Sequence, residues 1–276
     1  MKGDAMKKIG KNVYVESLLS RCNTSVVVTK EGVVVIDTPM IPANAKKVAG
    51  EIAKLGPVRY VINTEPHGDH TSGDCYFGGT LVTHEGTREA ILASKVKDFE
   101  GMLKMMSPES LPVPDDFHYR APDITLSERL TIYLGGHTFK LINLPGHSPY
   151  QVAVYCPEER IVFTSDNVVV EDMPYFHQAL PDRWLESLKE YEKMDVDTVV
   201  PGHGGVTDKS AFKRMAEIIR ACLDEVKWAI DKGMSLQEAQ EQVTFAAIFA
   251  HLPDNDRKKM VVRMNVGRLY ELLKKK

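Results

Sequence analysis

Cysteine is scarce. The 276 residues hold four, Cys22, Cys75, Cys156 and Cys222, widely spaced and with no Cys-x-x-Cys pair. That spacing excludes a cysteine-based zinc knuckle and argues against a disulfide scaffold. Small buried hydrophobes in a reducing compartment is the plain reading, with Cys75 set apart only by its closeness to the motif below. A dominant charge is lacking too. Lys+Arg is 35 and Asp+Glu is 38, a net charge of −3, which leaves no electrostatic footprint for nucleic acid. Long apolar runs are missing: residues 245–250 form a stretch typical of the longest here, far short of the roughly 20 needed to cross a bilayer. The opening MKGDAMKKIG is charged and carries no apolar segment, so it does not read as a secretory signal. These absences predict a cytoplasmic protein that acts on a small molecule, with neither nucleic acid nor membrane as partner. Hydrophobic residues make up 43%, enough for a core and too many for a disordered chain.

What is present alternates. Strands are expected at 13–16, 25–29, 33–37, 58–63, 81–84, 130–134, 138–143, 152–156, 161–165 and 198–200, with Glu31-Gly32 as the turn between the second and third. Helices are expected at 43–54, from 87 to about 106, and at 183–194. The first of these has the stripe Ala45, Val48, Ile52, Leu55 and is closed by Gly56 and Pro57. Residues 107–116 hold three prolines and read as a loop. From residue 209 onward the pattern is helical, and Ser235-Leu-Gln-Glu238 has the form of a capping box. Two β-rich halves with helices predict a layered α/β fold around two sheets. In the tail, the stripe Phe212, Met215, Ile218, Ile219 and Cys222 is expected to cover the core or to form a homodimer face.

Histidine carries the chemistry. The run Asn63-Thr64-Glu65-Pro66-His67-Gly68-Asp69-His70 follows a strand ending in Val61-Ile62, and places four metal-binding side chains within six positions. Packing Glu, His, Asp and His together without a cation would leave polar groups poorly satisfied. Three further candidates each follow an expected strand: His147 in Leu-Pro-Gly-His-Ser-Pro, Asp166 in Thr-Ser-Asp, and His203 in Pro-Gly-His-Gly. Glycines there permit tight turns that aim an imidazole into a shared cleft. His84, His118, His137 and His251 lack such a setting and read as ordinary surface or core residues.

In this order the motifs resemble the metallo-β-lactamase superfamily, whose signature is Thr-His-x-His-x-Asp-His, followed by a Gly-His, an Asp after a strand and a final Gly-His. The resemblance covers roughly residues 12–205. It implies an αβ/βα four-layer sandwich as a catalytic domain over 1–205, with 206–276 as a C-terminal helical extension packed on it or at a dimer interface. It implies two divalent metal ions, zinc before others. His67 and His147 would hold site one, Asp69, His70 and His203 site two, with Asp166 bridging. Asp37 would orient ligands from behind.

The sequence departs from the signature at its first histidine, which is Glu65 here. Glu65 is expected to ligate site one. Two divalent ions, three carboxylates and a bridging hydroxide then sum to neutrality, where a histidine would leave one positive charge. A less positive cluster acidifies bound water less, and the oxygen ligand shifts preference toward manganese or iron without excluding zinc. The implied activity is that of a metal-dependent hydrolase, in which a metal-bound hydroxide attacks a small ester, lactone, thioester or amide, a β-lactam included. Asp69 would be both ligand and proton acceptor. Tyr150, Tyr175, Phe176 and His177 are candidate substrate contacts, with loop packing as the competing reading for the last three. The alternative is a di-iron redox or oxygen-binding protein of the same fold, which Glu65 favours.

Overall fold

The computed structural model describes residues 6–19 and 21–275. Residues 1–5, part of the opening MKGDAMKKIG, lie outside them. Strands are β1 (Met6–Lys8), β2 (Val13–Glu16), β3 (Thr24–Thr29), β4 (Gly32–Ile36), β5 (Val58–Ile62), β6 (Thr80–His84), β7 (Ile124–Leu126), β8 (Arg129–Leu134), β9 (His137–Asn143), β10 (Val152–Cys156), β11 (Ile161–Val169) and β12 (Thr198–His203). Helices are α1 (Pro42–Ala53), α2 (Gly68–Thr71), α3 (Glu85–Ala93), α4 (Val96–Met106), α5 (Pro181–Glu192), α6 (Ser210–Asp231), α7 (Leu236–Gln242) and α8 (Asp256–Lys274).

β1 to β7 form one sheet in sequence order, antiparallel as far as β4 and parallel from β4 to β7. The second sheet runs β12-β11-β10-β9-β8, with only β11 and β12 parallel. Side-chain alternation explains the layers. Along β4, Val34 and Ile36 face the other sheet and pack with Phe139, Leu141, Val154 and Phe163, while Val33 and Val35 face outward onto Ala45, Val48 and Ile52 of α1. Both faces of the strand are therefore apolar. On the far side, Ala153, Val162 and Val199 meet Trp184 and Leu188 of α5, Phe212, Met215, Ile219 and Cys222 of α6, and Val262 and Val266 of α8. The tail stripe thus covers the core. The result is an αβ/βα sandwich with C-terminal helices. Among the described residues, no helix is long and apolar enough to cross a membrane.

Three expectations need correction. The helix expected from 87 to 106 is two helices: Ser94 is extended, and Asp98 accepts the Lys95 N–H at 3.1 Å to start α4 afresh. The short strands β1 and β7 carry too few residues to show a pattern. β11 continues through Asp166 to Val169 and β12 reaches His203, so these two ligand candidates lie within strands rather than after them. A register shift at Ser165, whose φ is 51°, lets β11 run on past its polar residues.

Candidate metal centre

The centre lies where strand ends from both sheets meet, and backbone bonds hold that edge closed. The Val152 N–H donates to the Thr64 carbonyl at 2.7 Å, joining the start of β10 to the turn after β5. Asn23 ties the start of β3 to β12 and the turn beyond it: its N–H donates to Gly202 O (2.8 Å) and its carboxamide to Pro201 O and Gly204 O (2.9 Å each). Under α2, the His70 carbonyl accepts from Thr38 N–H (3.0 Å) and Asn63 Nδ2 (3.2 Å). Asp37 sits at φ 58° directly after β4, and its carboxylate accepts from Thr64 N–H (2.8 Å) and Thr64 Oγ1 (2.6 Å).

On this frame the seven candidate ligands converge. They sort into three groups whose ligand atoms lie within 4.8 Å of one another: Glu65, His67, His147; Asp69, His70, His203; and Glu65, His70, Asp166. Glu65 is fully buried and its two oxygens serve different groups. Oε2 lies 2.9 Å from His67 Nδ1 and 3.7 Å from His147 Nε2; Oε1 lies 3.0 Å from His70 Nε2. Asp166 spans the centre, with Oδ1 3.3 Å from both His70 Nε2 and His203 Nε2, and Oδ2 3.6 Å from His147 Nε2. Asp69 Oδ2 is 3.3 Å from His203 Nε2.

Protons decide what this arrangement can hold. His70 Nδ1 is 2.9 Å from Asp37 Oδ2, which places a proton on that nitrogen. Its Nε2, Glu65 Oε1 and Asp166 Oδ1 are buried, face one another and have no hydrogen-bond partner. Such a cluster of unpaired donor-poor atoms is costly, and a cation among them resolves it. The residues therefore fit metal ions. Without a cation, the carboxylates force protons onto the rings. Burial opposes the His67 imidazolium, yet Glu65, Asp69 and Asp166 lift its pKa to about 9. Burial likewise opposes the His203 cation, and Asp166 and Asp69 raise it well above the usual range. Glu65, despite its burial, is held below the carboxylate range by His67, His70 and His147. His147 is the exception: burial keeps it below the usual imidazole value, so it is neutral and offers a lone pair. Loading with metal must displace the extra protons.

The sequence pattern of the metallo-beta-lactamase superfamily matches residues 19–203. The chain belongs to that superfamily. Among curated relatives, the Beta-lactamase-like protein 2 homolog of Caenorhabditis elegans is 27% identical over 156 residues, 56% of this chain and 45% of that protein. The chain thus spans about half the length of that relative. A metallo-beta-lactamase from Pontibacter korlensis superposes with a TM-score of 0.63 at 21% identity, over 78% of this chain and 98% of its own. A sec-alkylsulfatase from Pseudomonas sp. superposes with a TM-score of 0.72 at 16% identity, over 97% of this chain and 50% of its own. At these identities the superpositions speak for the fold.

Against the superfamily signature, Glu65 stands in the ligand cluster and Asp37 lies behind His70. The expected substrate contacts divide. Phe176 is fully buried, with its ring 5.5 Å from Trp184; it belongs to the core and is withdrawn as a contact. Tyr150 stacks on His84 at 5.1 Å and lies against Gly86 at the start of α3. Tyr175 is half-buried, 6.2 Å from His177. His177 has an exposed edge, yet its Nε2 is 3.1 Å from His67 Nε2, and the partial burial of its ring, with His67 and His147 beside it, holds its pKa down at about 4. Neutral His177 is therefore a partner of a candidate ligand. Sequence reasoning missed Gln151, fully buried, whose Nε2 donates to Glu65 Oε2 at 2.7 Å, and Asn167, whose Oδ1 accepts the His147 N–H at 2.9 Å. The only signal for either was its position beside a motif.

Proposed function

We propose that the protein is a hydrolase dependent on two divalent metal ions, acting on a small ester, lactone, thioester or amide. One observation carries this reading: seven donors from both sheets converge in overlapping groups, with buried oxygens and a nitrogen aimed at each other and unpaired. Glu65, His67 and His147 would hold one ion, Asp69, His70 and His203 the other, with Asp166 between them. When bound, the ions supply Lewis acidity and an activated water. The chain's own residues do the rest. Asp37 holds the proton of His70 on Nδ1. His177 accepts from His67 Nε2, leaving Nδ1 toward the centre. Gln151 fixes one oxygen of Glu65. Asp69, whose side chain is 20% exposed, is placed to accept a proton at Oδ2.

Zinc is the first metal to expect, with manganese or iron favoured relative to it by Glu65. Metal analysis of untagged protein, with a metal-dependent hydrolysis screen over esters, lactones, thioesters and β-lactams, tests the reading. The likeness to a sec-alkylsulfatase along nearly the whole chain adds alkyl sulfates to that screen. Protein free of metal, with no turnover on adding zinc, manganese or iron, would sink it. The carboxylate-rich donor set supports a second reading, a di-iron redox centre. Iron charge-transfer bands in aerated protein would favour that reading over hydrolysis.

A further inference from the structure

The segment between β11 and α5 brings His177 to His67, and α8 grips that segment from more than eighty residues away in sequence. Arg257 Nη2 reaches Asp172 Oδ2 at 3.2 Å. Asn265 Oδ1 accepts the Phe176 N–H at 2.8 Å, and Asn265 Nδ2 donates to the Pro174 carbonyl at 2.8 Å. Arg268 Nη2 donates to the Ala179 carbonyl at 3.5 Å. Asn265 is fully buried within a helix whose neighbouring positions Val261, Val262, Val266 and Leu269 pack into the core. A carboxamide there is unfavourable unless both its ends are paired, and both are paired to one loop. The peptide N–H it holds belongs to the residue immediately before His177.

We propose that Asn265 is a positioning residue for the metal centre. By fixing the backbone at Pro174 and Phe176, it sets His177 Nε2 against His67 Nε2. That contact gives the His67 Nε2–H an acceptor and turns Nδ1 toward Glu65 Oε2 at 2.9 Å and His147 Nε2 at 3.2 Å. The C-terminal helix thereby tunes a ligand that it does not touch. The inference rests on the metal reading of the site, and the test separates the two.

The test is a set of variants, Asn265→Ala, Arg257→Ala, His177→Ala and the double Asn265→Ala/His177→Ala. Zinc affinity is measured by competition with a chromophoric chelator. The His67–His177 hydrogen bond is read by nitrogen-15 NMR of metal-free protein. Loss of a ligand's hydrogen-bond partner typically weakens metal binding about 10- to 100-fold. Asn265→Ala should lose roughly tenfold at the ion of the Glu65–His67–His147 group, and Arg257→Ala should lose less in the same direction. The double variant should bind no more weakly than His177→Ala alone, since both act through one contact. NMR should show the His67–His177 hydrogen bond in wild type and its loss in Asn265→Ala. Wild-type affinity in Asn265→Ala, or losses that add in the double variant, would overturn the proposal. Should Asn265→Ala fail to fold, wild-type affinity in Arg257→Ala overturns it. Should wild type bind no metal, the metal reading fails, and an unchanged His67–His177 signal in the variants then removes the positioning role as well.

Discussion

Asp37→Asn changes one atom behind the site and should cripple the ligand His70. Asp37 is an acceptor at both oxygens: Oδ1 takes Thr64 N–H at 2.8 Å, and Oδ2 takes Thr64 Oγ1 at 2.6 Å and His70 Nδ1 at 2.9 Å. Its φ of 58° is one that asparagine tolerates as well as aspartate does, so the backbone need not move. In the variant, Oδ1 keeps Thr64 N–H and an NH2 group replaces Oδ2. The Thr64 hydroxyl can turn and accept, but His70 Nδ1–H now meets another donor. The proton must pass to Nε2, where it points at Glu65 Oε1 and Asp166 Oδ1 and blocks ligation. A hydrogen bond to a charged group is worth about 1.5–3 kcal/mol. At about 1.4 kcal/mol per tenfold, its loss predicts roughly 10- to 100-fold weaker metal binding, falling mainly on the Asp69–His70–His203 group. Flipping the amide is the one escape. It sets NH2 against the Thr64 N–H, a buried donor with nowhere to turn, and moves about 1–3 kcal/mol from metal affinity into fold stability. Chelator competition and thermal unfolding together capture both routes. A variant with wild-type affinity and wild-type unfolding temperature would refute the proton assignment.

Three further outcomes follow from the same geometry. Gly202→Ala should abolish metal binding although Gly202 supplies no ligand, because the added Cβ would lie 1.9 Å from Asp166 Oδ1 and 2.7 Å from the Asp166 amide nitrogen and would displace that carboxylate; bound metal measured by elemental analysis checks this, and full occupancy would contradict it. Glu65→His should shift selectivity toward zinc and lower the apparent pKa of the pH–rate profile, since it makes the cluster more positive. An unchanged metal preference would argue that Glu65 is no ligand. Asp74→Asn should stabilise the metal-free protein at pH 8 and not at pH 4. Burial pushes the Asp74 carboxyl up to about 7, above its unfolded value near 3.9, so its ionisation opposes folding increasingly as pH rises through that window and the effect is complete above it. The gain at pH 8 is on the order of a few kcal/mol, read from urea unfolding at the two pH values; equal gains at both would discount the shifted acid.

The candidate ligands were legible because metal-binding side chains are local in sequence at Glu65–His70 and marked by Gly-His pairs at His147 and His203. The shape of β11 was not, because Ser165, Asp166 and Asn167 look like a strand end. They stay in the strand since Asn167 finds acceptor and donor partners in the turn that carries His147. Phe176 and His177 show the same limit at finer scale. Neighbours in a loop with no period, they point one into the core beside Trp184 and one to His67, and only the contact with α8 settles which goes where. Helix α4 was missed as a separate element because it opens at Lys95, whose N–H Asp98 accepts, and lysine is no N-terminal signal.

Glu65 and Gln151 are the point at which sequence and structure explain each other. Replacing a histidine by a carboxylate puts a second oxygen, and a charge, into a fully buried place. A lone buried carboxylate would take up a proton. Here Oε2 is held by Gln151 Nε2 at 2.7 Å, and Oε1 is left toward His70 and Asp166 with no partner of its own. The donor on one side fixes the rotamer, so the free oxygen cannot turn away from the other ligands. The charge that would make a metal-loaded centre less acidic thus comes with an oxygen aimed between the two candidate ligand groups. A glutamine adjoining the His147 turn supplies the restraint that a shorter, two-nitrogen ring would not have needed.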